Sequence, residues 1–216
     1  MPDPVKGKSE AGRRREQRAL QTRARITDAA LRLFCERSYV ATSVEAIAAE
    51  AAVAPATVYQ AFGTKQAVLA RALDASITGD GQPVPLLERD WVAAARRHRG
   101  ARGRLVAVVR GAAQVAAQTA ALKEVMRDAA ATDSAVRELI REDHDRRRVT
   151  QRALVEVAVG EHDLRRGMTL DKAADAFFLL MNSDTYRLAT EVLGWSADDW
   201  QQWLVETLTH ELLGGA

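Results

Sequence analysis

The sequence predicts an all-α fold, and three observations carry that prediction. Hydrophobic residues make up 47% of the 216 residues but aromatics only 5%, a balance that favours closely packed helices over sheets. No proline follows Pro85, so the rest of the chain is open to long helices. No stretch alternates apolar and polar residues with the period of two that a half-buried strand requires. The single cysteine, Cys35, excludes an intrachain disulfide, and its place among apolar positions of a helix (Leu31, Phe34) predicts a packed thiol. The N-terminus lacks the apolar core of a signal peptide, and no apolar run is expected to cross a bilayer, so the expected location is cytoplasmic.

Residues 1–20 read as a flexible basic arm, polar and without periodicity. Residues 1–26 hold eight basic and three acidic residues, a net +5 that leaves −3 for the remainder of a chain totalling +2. Such an arm suits nucleic acid, or is simply a solvating tail. From Thr22 a helix is predicted, because Ile26, Ala29, Ala30, Leu33 and Phe34 share one face. A second helix opens with a capping box from Thr42 to Glu45 and buries Val44, Ile47, Ala48 and Ala51. A third is short. Pro55 suits its first turn, Val58 and Phe62 point inward, and Gly63 stops it. Thr64 then caps a fourth, with Val68, Leu69, Ala72 and Leu73 as its apolar stripe.

"ITGDGQPVP" (77–85) is the clearest break in the chain. Beyond it, helices are predicted over 86–97, 104–119, 122–130, 134–159, 170–193 and 196–213. The domain boundaries follow: an arm over 1–20, a helix-turn-helix domain over 21–65, a connecting helix over 66–76 and a C-terminal domain over 77–216.

Two short helices with a tight turn between them, the second showing polar groups outward, form the pattern of a helix-turn-helix. The major groove admits one helix, whose N-terminal residues meet base edges and phosphates. Ala54, Pro55, Ala56, Thr57, Tyr59, Gln60 and Ala61 make the exposed set, with Pro55, Ala56, Thr57, Tyr59 and Gln60 as the expected DNA contacts. Gln60 and Thr57 can bond bases, the methyls of Ala56 and Thr57 can touch thymine, and Tyr59 can donate to a phosphate. Lys65, at the next helix start, is expected to clamp a phosphate, with Thr42 and Ser43 as a second phosphate site. Arg13, Arg14 and Arg15 can add affinity along the duplex. The competing reading is that the short helices only pack.

The segment "RARITDAALRLFCERSYVATSVEAIAAEAAVAPATVYQAFGTKQAVLARAL" resembles the DNA-binding domain of the tetracycline-repressor (TetR) family of transcriptional regulators. The likeness runs from Arg23 to Leu73 without a gap. Its most specific part is T-V-Y-x-x-F-x-x-K, here Thr57, Val58, Tyr59, Phe62 and Lys65, preceded by Val44, Ile47 and Ala48. The resemblance implies a homodimer on double-stranded operator DNA and an all-helical C-terminal domain that binds a small-molecule effector and dimerises. Four positions depart from the family pattern. Ala52 stands where glycine is usual, at a cost of about 1 kcal/mol if the residue is left-handed. Ala61 replaces a frequent histidine, and Ala54-Pro55 replace a polar helix start.

The segment "AADAFFLLMNSDTYRLATEVLGWSADDWQQWLVETLTHELLG" is similar to the tail of a subset of the same family, whose last two helices pair with a second copy. Phe177, Leu180, Met181, Tyr186, Leu188, Trp200, Trp203, Leu204, Leu208 and Leu212 supply apolar surface for that seam or for ordinary core. An effector pocket is expected among Trp91, Val109, Met126, Phe178, Met181 and Tyr186, with Arg110, His144 and Asn182 as polar points.

Enzymatic readings find little support. His98, His144, His162 and His210 are far apart, and neither a metal motif nor a Gly-rich phosphate loop is present, so no metal and no cofactor is expected. "REDHDRRR" (141–148) reads as a solvated face. The sequence therefore points to a ligand-responsive, DNA-binding regulator acting as a repressor. An effector-independent regulator of the same fold, or a helical enzyme or adaptor, are the alternatives.

Overall fold

The computed structural model describes residues 10–79 and 84–213, and every element among them is helical. The residues before Glu10 and the centre of the Gly/Pro-rich break lie outside the described residues. Contacts divide the chain into two compact units, one up to Ala72 and one from Leu73 onward.

The first unit holds α1 (Glu10–Arg37), α2 (Val44–Glu50), α3 (Pro55–Phe62) and the start of α4 (Lys65–Thr78). Its core is the apolar set read from the sequence. Ile26, Ala29, Ala30, Leu33 and Phe34 of α1 are buried with Val44, Ile47 and Ala48 of α2, Val58 of α3, and Val68, Leu69 and Ala72 of α4. Tyr39 joins them from the loop after α1, its ring 5.5 Å from that of Phe34.

Several local expectations are corrected. Helix α1 begins at Glu10, so residues 10–20 are helical and not a flexible arm. Alanine, arginine, glutamate and glutamine sustain a helix without burial once a packed helix has nucleated it, and Glu10 pairs with Arg14 one turn on. Ser43, not Thr42, caps α2, its Oγ accepting the Ala46 N–H at 3.1 Å. Cys35 is exposed, not packed, since it falls just off the buried stripe. Partial desolvation, and then the Glu36 carboxylate beside it, push its thiol pKa upward, away from a reactive thiolate.

The second unit begins within α4. It continues through a 3-10 turn (Leu86–Glu88), α5 (Asp90–Arg97), α6 (Ala101–Ala130), α7 (Ser134–Ala158) and a second 3-10 turn (Glu161–Asp163). Then come α8 (Leu170–Leu180), α9 (Ser183–Arg187), a π-helical turn (Leu188–Val192) and α10 (Ala197–Leu213). Helix α6 is the axis of this unit, packing against α5, α7, α9 and α10. Gly111 lets Trp91 of α5 lie against it, for a Cβ there would come within 2.3 Å of the indole ring.

The helices expected over 104–119 and 122–130 are one continuous element, because Ala120 and Ala121 give no reason to stop. Thr119 folds its hydroxyl back onto the Val115 and Ala116 carbonyls. By length and composition α6 could also cross a membrane, contrary to expectation. It buries Leu105, Val108, Val109, Ala112, Ala113 and Ala116 in the protein core, which accounts for its apolar character. The helix expected over 170–193 is broken at Met181, where Asn182 caps α9 by accepting the Asp184 and Thr185 N–H groups. Of the apolar residues assigned to a subunit seam or to core, Phe177, Met181, Trp200, Leu204, Leu208 and Leu212 are buried core within one chain.

Ala52, in the turn between α2 and α3, has φ +52°, the left-handed conformation that penalises a Cβ. Ala52→Gly is therefore expected to raise the stability of the first unit by about 1 kcal/mol. Chemical denaturation followed by helical ellipticity measures the change, and a loss of stability contradicts this account of the turn.

Candidate nucleic-acid interface and ligand cavity

Helix α3 is held from behind and bare in front. Pro55 occupies its first turn and Val58 is its one buried residue. Phe62 is half-buried, with the Arg23 guanidinium 5.8 Å from its ring centre. Arg23 also donates to the Ala61 carbonyl at 2.9 Å, fastening the helix end to α1. Gly63 at φ +80° closes the helix, its N–H donating to the Tyr59 carbonyl. Ala54, Pro55, Ala56, Tyr59 and Gln60 are exposed, and Thr57 and Ala61 are half-buried. Tyr59 shows 49% of its surface, a large apolar ring left in solvent.

Of three residues expected to meet phosphate here, Thr42 and Lys65 are placed differently and Ser43 is not. Thr42 is buried, its hydroxyl donating to the Ser38 carbonyl at 2.7 Å and the Leu33 carbonyl at 3.2 Å, so it offers no phosphate contact. Ser43 stays exposed; its oxygen caps α2, which leaves the hydroxyl hydrogen able to donate. Lys65 turns inward. Its ammonium donates to the carbonyls of Tyr39 at 3.0 Å and Thr42 at 3.1 Å, and sits 4.1 Å from the centre of the Tyr39 ring. The start of α4 is thereby tied to the α1–α2 loop, and the expected phosphate clamp is a structural brace. Arg23 is the functional neighbour the sequence reading missed. Arg13, Arg14 and Arg15 are exposed on the first turns of α1.

The second unit contains a cavity of about 390 Å³. Ile77, Pro85, Leu86, Ala112, Val115, Ala116, Leu154 and Met181 give it apolar walls, and Thr119, Lys123, Asp143, Arg147, Gln151 and Asn182 contribute polar groups. Of the residues expected in a pocket, Met181 and Asn182 are here. Trp91, Arg110 and Tyr186 line a separate hollow of about 540 Å³ beside Trp200. Met126 and Val109 are buried core. Phe178 borders a shallow third hollow. His144 is exposed and meets Phe178 edge-on, and partial burial, then the Arg147 charge, push its pKa down.

The cavity's polar side comes from the run read as a solvated face. Asp143, Arg147 and Gln151 are spaced one turn apart on α7, and Asp143 and Gln151 are buried. They continue the stripe of Val136, Leu139, Leu154 and Ala158, a periodicity visible in the sequence once charge is disregarded. Asp143 pairs with Lys123 of α6 at 3.0 Å. Burial still pushes the Lys123 pKa down, so the pair does not fully repay desolvation.

A short helix braced on one side and open on the other, seated on a preceding short helix through a tight turn, defines a helix-turn-helix DNA-binding protein. Residues 26–72 match the family model for bacterial regulatory proteins of the tetR family. Residues 26–72 thus carry a helix-turn-helix domain of the kind found in that family, and a helical C-terminal domain follows it. A comparison with curated protein sequences finds no match.

Solved structures share the fold over most of the chain. FadR from Bacillus subtilis, in complex with stearoyl-CoA, superposes with a TM-score of 0.68 at 17% identity, over 89% of this chain and 99% of its own. A transcriptional regulator from Saccharomonospora viridis, in complex with choline, gives 0.65 at 22%, over 89% and 98%. NalD, the secondary repressor of the MexAB-OprM multidrug efflux pump in Pseudomonas aeruginosa, gives 0.64 at 18%, over 89% and 97%.

Lys65→Met removes a charged donor from two carbonyls. It is expected to destabilise the first unit by about 1.5–3 kcal/mol. Tyr59→Ala, at an exposed site, should stay within about 0.5 kcal/mol of the wild type. Urea denaturation of both variants checks this, and the reverse order of effects contradicts the assignment of Lys65 as a brace.

Proposed function

We propose that the chain is a homodimeric repressor that two α3 helices seat on operator half-sites about one helical turn apart. A small molecule in the C-terminal cavity releases it. The observation that carries this reading is the bare face of α3, with Tyr59 and Gln60 outward and the C-terminal end of the helix fastened to α1 by Arg23. Gln60 and Thr57 read bases, and Ala56 and Pro55 lie against thymine methyls. Tyr59 and Ser43 hold phosphates, and Arg13, Arg14 and Arg15 supply salt-dependent affinity.

Four exposed apolar residues fall between 179 and 193: Leu179, Leu188, Val192 and Leu193. They belong to the end of α8 and the π-helical turn with its C-cap, and this is the surface we assign to the partner subunit. Release by ligand has a direct mechanical route. Asp74 and Ile77 of α4 line the cavity, and the same helix begins at Lys65 behind the recognition helix. A ligand that favours one setting of α4 weakens DNA binding, and DNA must weaken ligand binding equally. The binding of choline and stearoyl-CoA by proteins of this fold supports the ligand-binding role. The protein acts where bacterial DNA lies, in the cytoplasm, and performs no catalysis.

Binding to DNA from upstream of the chain's own gene tests the reading. Affinity should fall steeply with salt, and Tyr59→Ala and Gln60→Ala should each weaken specific binding by about 1–3 kcal/mol. Unchanged binding by both variants would falsify the assigned face. Leu188→Glu and Val192→Glu should shift sedimentation from dimer to monomer, and a persistent dimer places the interface elsewhere.

A further inference from the structure

The cavity in the second unit has an electrostatic imbalance that its walls do not resolve. On the side formed by α6, α7 and α9, Lys123, Arg147 and Asp143 line the cavity and Arg127 and Asp184 stand behind them, three cations to two carboxylates. Lys123 holds Asp143 and Arg127 holds Asp184. Arg147 remains. Its guanidinium lies 4.0 Å from the Phe178 ring centre and donates to the Phe178 carbonyl at 3.2 Å, with no carboxylate within salt-bridge distance among the described residues. Its Nε is buried and has no hydrogen-bond partner. Burial pushes its pKa down despite the fields of Asp143 and Asp184. The remaining charges on the lining, Arg146 and Asp74, face each other at 4.0 Å and balance.

One turn along α7, Gln151 is 7% exposed. Its Nε2 donates to the Met181 carbonyl at 3.0 Å, which fixes the amide, and its Oε1 has no partner. Two buried polar atoms on one helix face thus stand unsatisfied beside a cavity with apolar walls, one a charged donor and the other an acceptor. Each such atom costs stability unless something occupies the space.

We propose that this cavity takes an anionic amphiphile: an organic acid whose apolar body lies along Ile77, Leu86, Val115 and Leu154. Its carboxylate pairs with Arg147, and a hydroxyl or N–H near the acid donates to Gln151 Oε1. The acid supplies the missing negative charge, and a charge-assisted bond to guanidinium in a desolvated site discriminates strongly against neutral and cationic heads. The inference rests on the reading of the second unit as an effector domain and names the class of effector.

Isothermal titration of the full chain with 3-hydroxydecanoate, decanoate, decanol and decyltrimethylammonium tests it. The hydroxy acid should bind tightest, decanoate next, decanol at least about tenfold weaker than decanoate, and the ammonium least. Arg147→Met should erase the preference for acid over alcohol, while Arg147→Lys keeps part of it. Gln151→Leu should erase only the advantage of the hydroxyl. The comparison of probes on the wild type stands even where a variant does not fold. Tightest binding by decanol or the ammonium overturns the anionic head and leaves an effector domain standing. Binding of none of the four overturns the proposal outright. Operator binding, measured on the same preparation without ligand, reports separately whether the regulator reading holds.

Discussion

The ammonium of Lys65 is the constraint on which the recognition surface depends. A buried core fixes where α1, α2, α4 and the Tyr39 ring lie, and polar ties to two backbone carbonyls complete the loop from Ser38 to Ser43, where the chain changes direction. Lys65 joins those carbonyls, at Tyr39 and Thr42, to the first turn of α4. Thr42 closes the same loop from within by donating to Ser38 and Leu33. With the loop fixed, Ser43 is left at the helix start to cap α2, and α2 is the platform for α3. Arg23 then fastens the far end of α3. A helix with one buried residue cannot be held by hydrophobic burial alone, and these polar ties supply what burial does not. The exposed face is left free of structural duties, which suits a surface that must vary with the DNA it reads.

In the second unit the governing feature is a polar stripe set into an apolar one. Asp143, Arg147 and Gln151 stand on the face of α7 that meets α6, through Lys123, and the end of α8, through Phe178 and Met181. Apolar residues there would close the core at lower cost, because a buried ion pair often only breaks even with a hydrophobic replacement. The Lys123–Asp143 pair, the stacked Arg147 and the fixed Gln151 amide instead keep a cavity open and give it polarity.

Much of this architecture was legible in the sequence because it rests on periodicity and caps. The apolar stripe of α1, the Pro55 start and Gly63 stop of α3 and the Thr64 cap all follow from local rules, while the strained alanine at position 52 followed from the family resemblance alone. What escaped depended on tertiary partners. Nothing in the motif shows whether Lys65 faces solvent or the loop behind it, since an ammonium serves a phosphate or a carbonyl equally well. Thr42 and Ser43 are adjacent and chemically alike, and only the fold decides which is buried. The run 141–148 looked solvated because charge was weighed above spacing. The break at Met181 was hidden because Asn182 gives only a weak stop signal inside an apolar segment, and the Gln151 bond to Met181 that supports it is long-range. Pocket residues chosen for aromatic or polar character were scattered over core, surface and three hollows, since lining a cavity is a property of packing and not of residue type.

The central claim is that α3, presented twice by a symmetric dimer, reads DNA in the major groove. Hydroxyl-radical and methylation-protection footprinting on the upstream DNA examines it most directly. The account predicts two protected segments related by a dyad and centred about 34–36 Å apart, with guanine N7 atoms shielded at the centre of each. A single segment without symmetry, or protection confined to the minor groove, would contradict it.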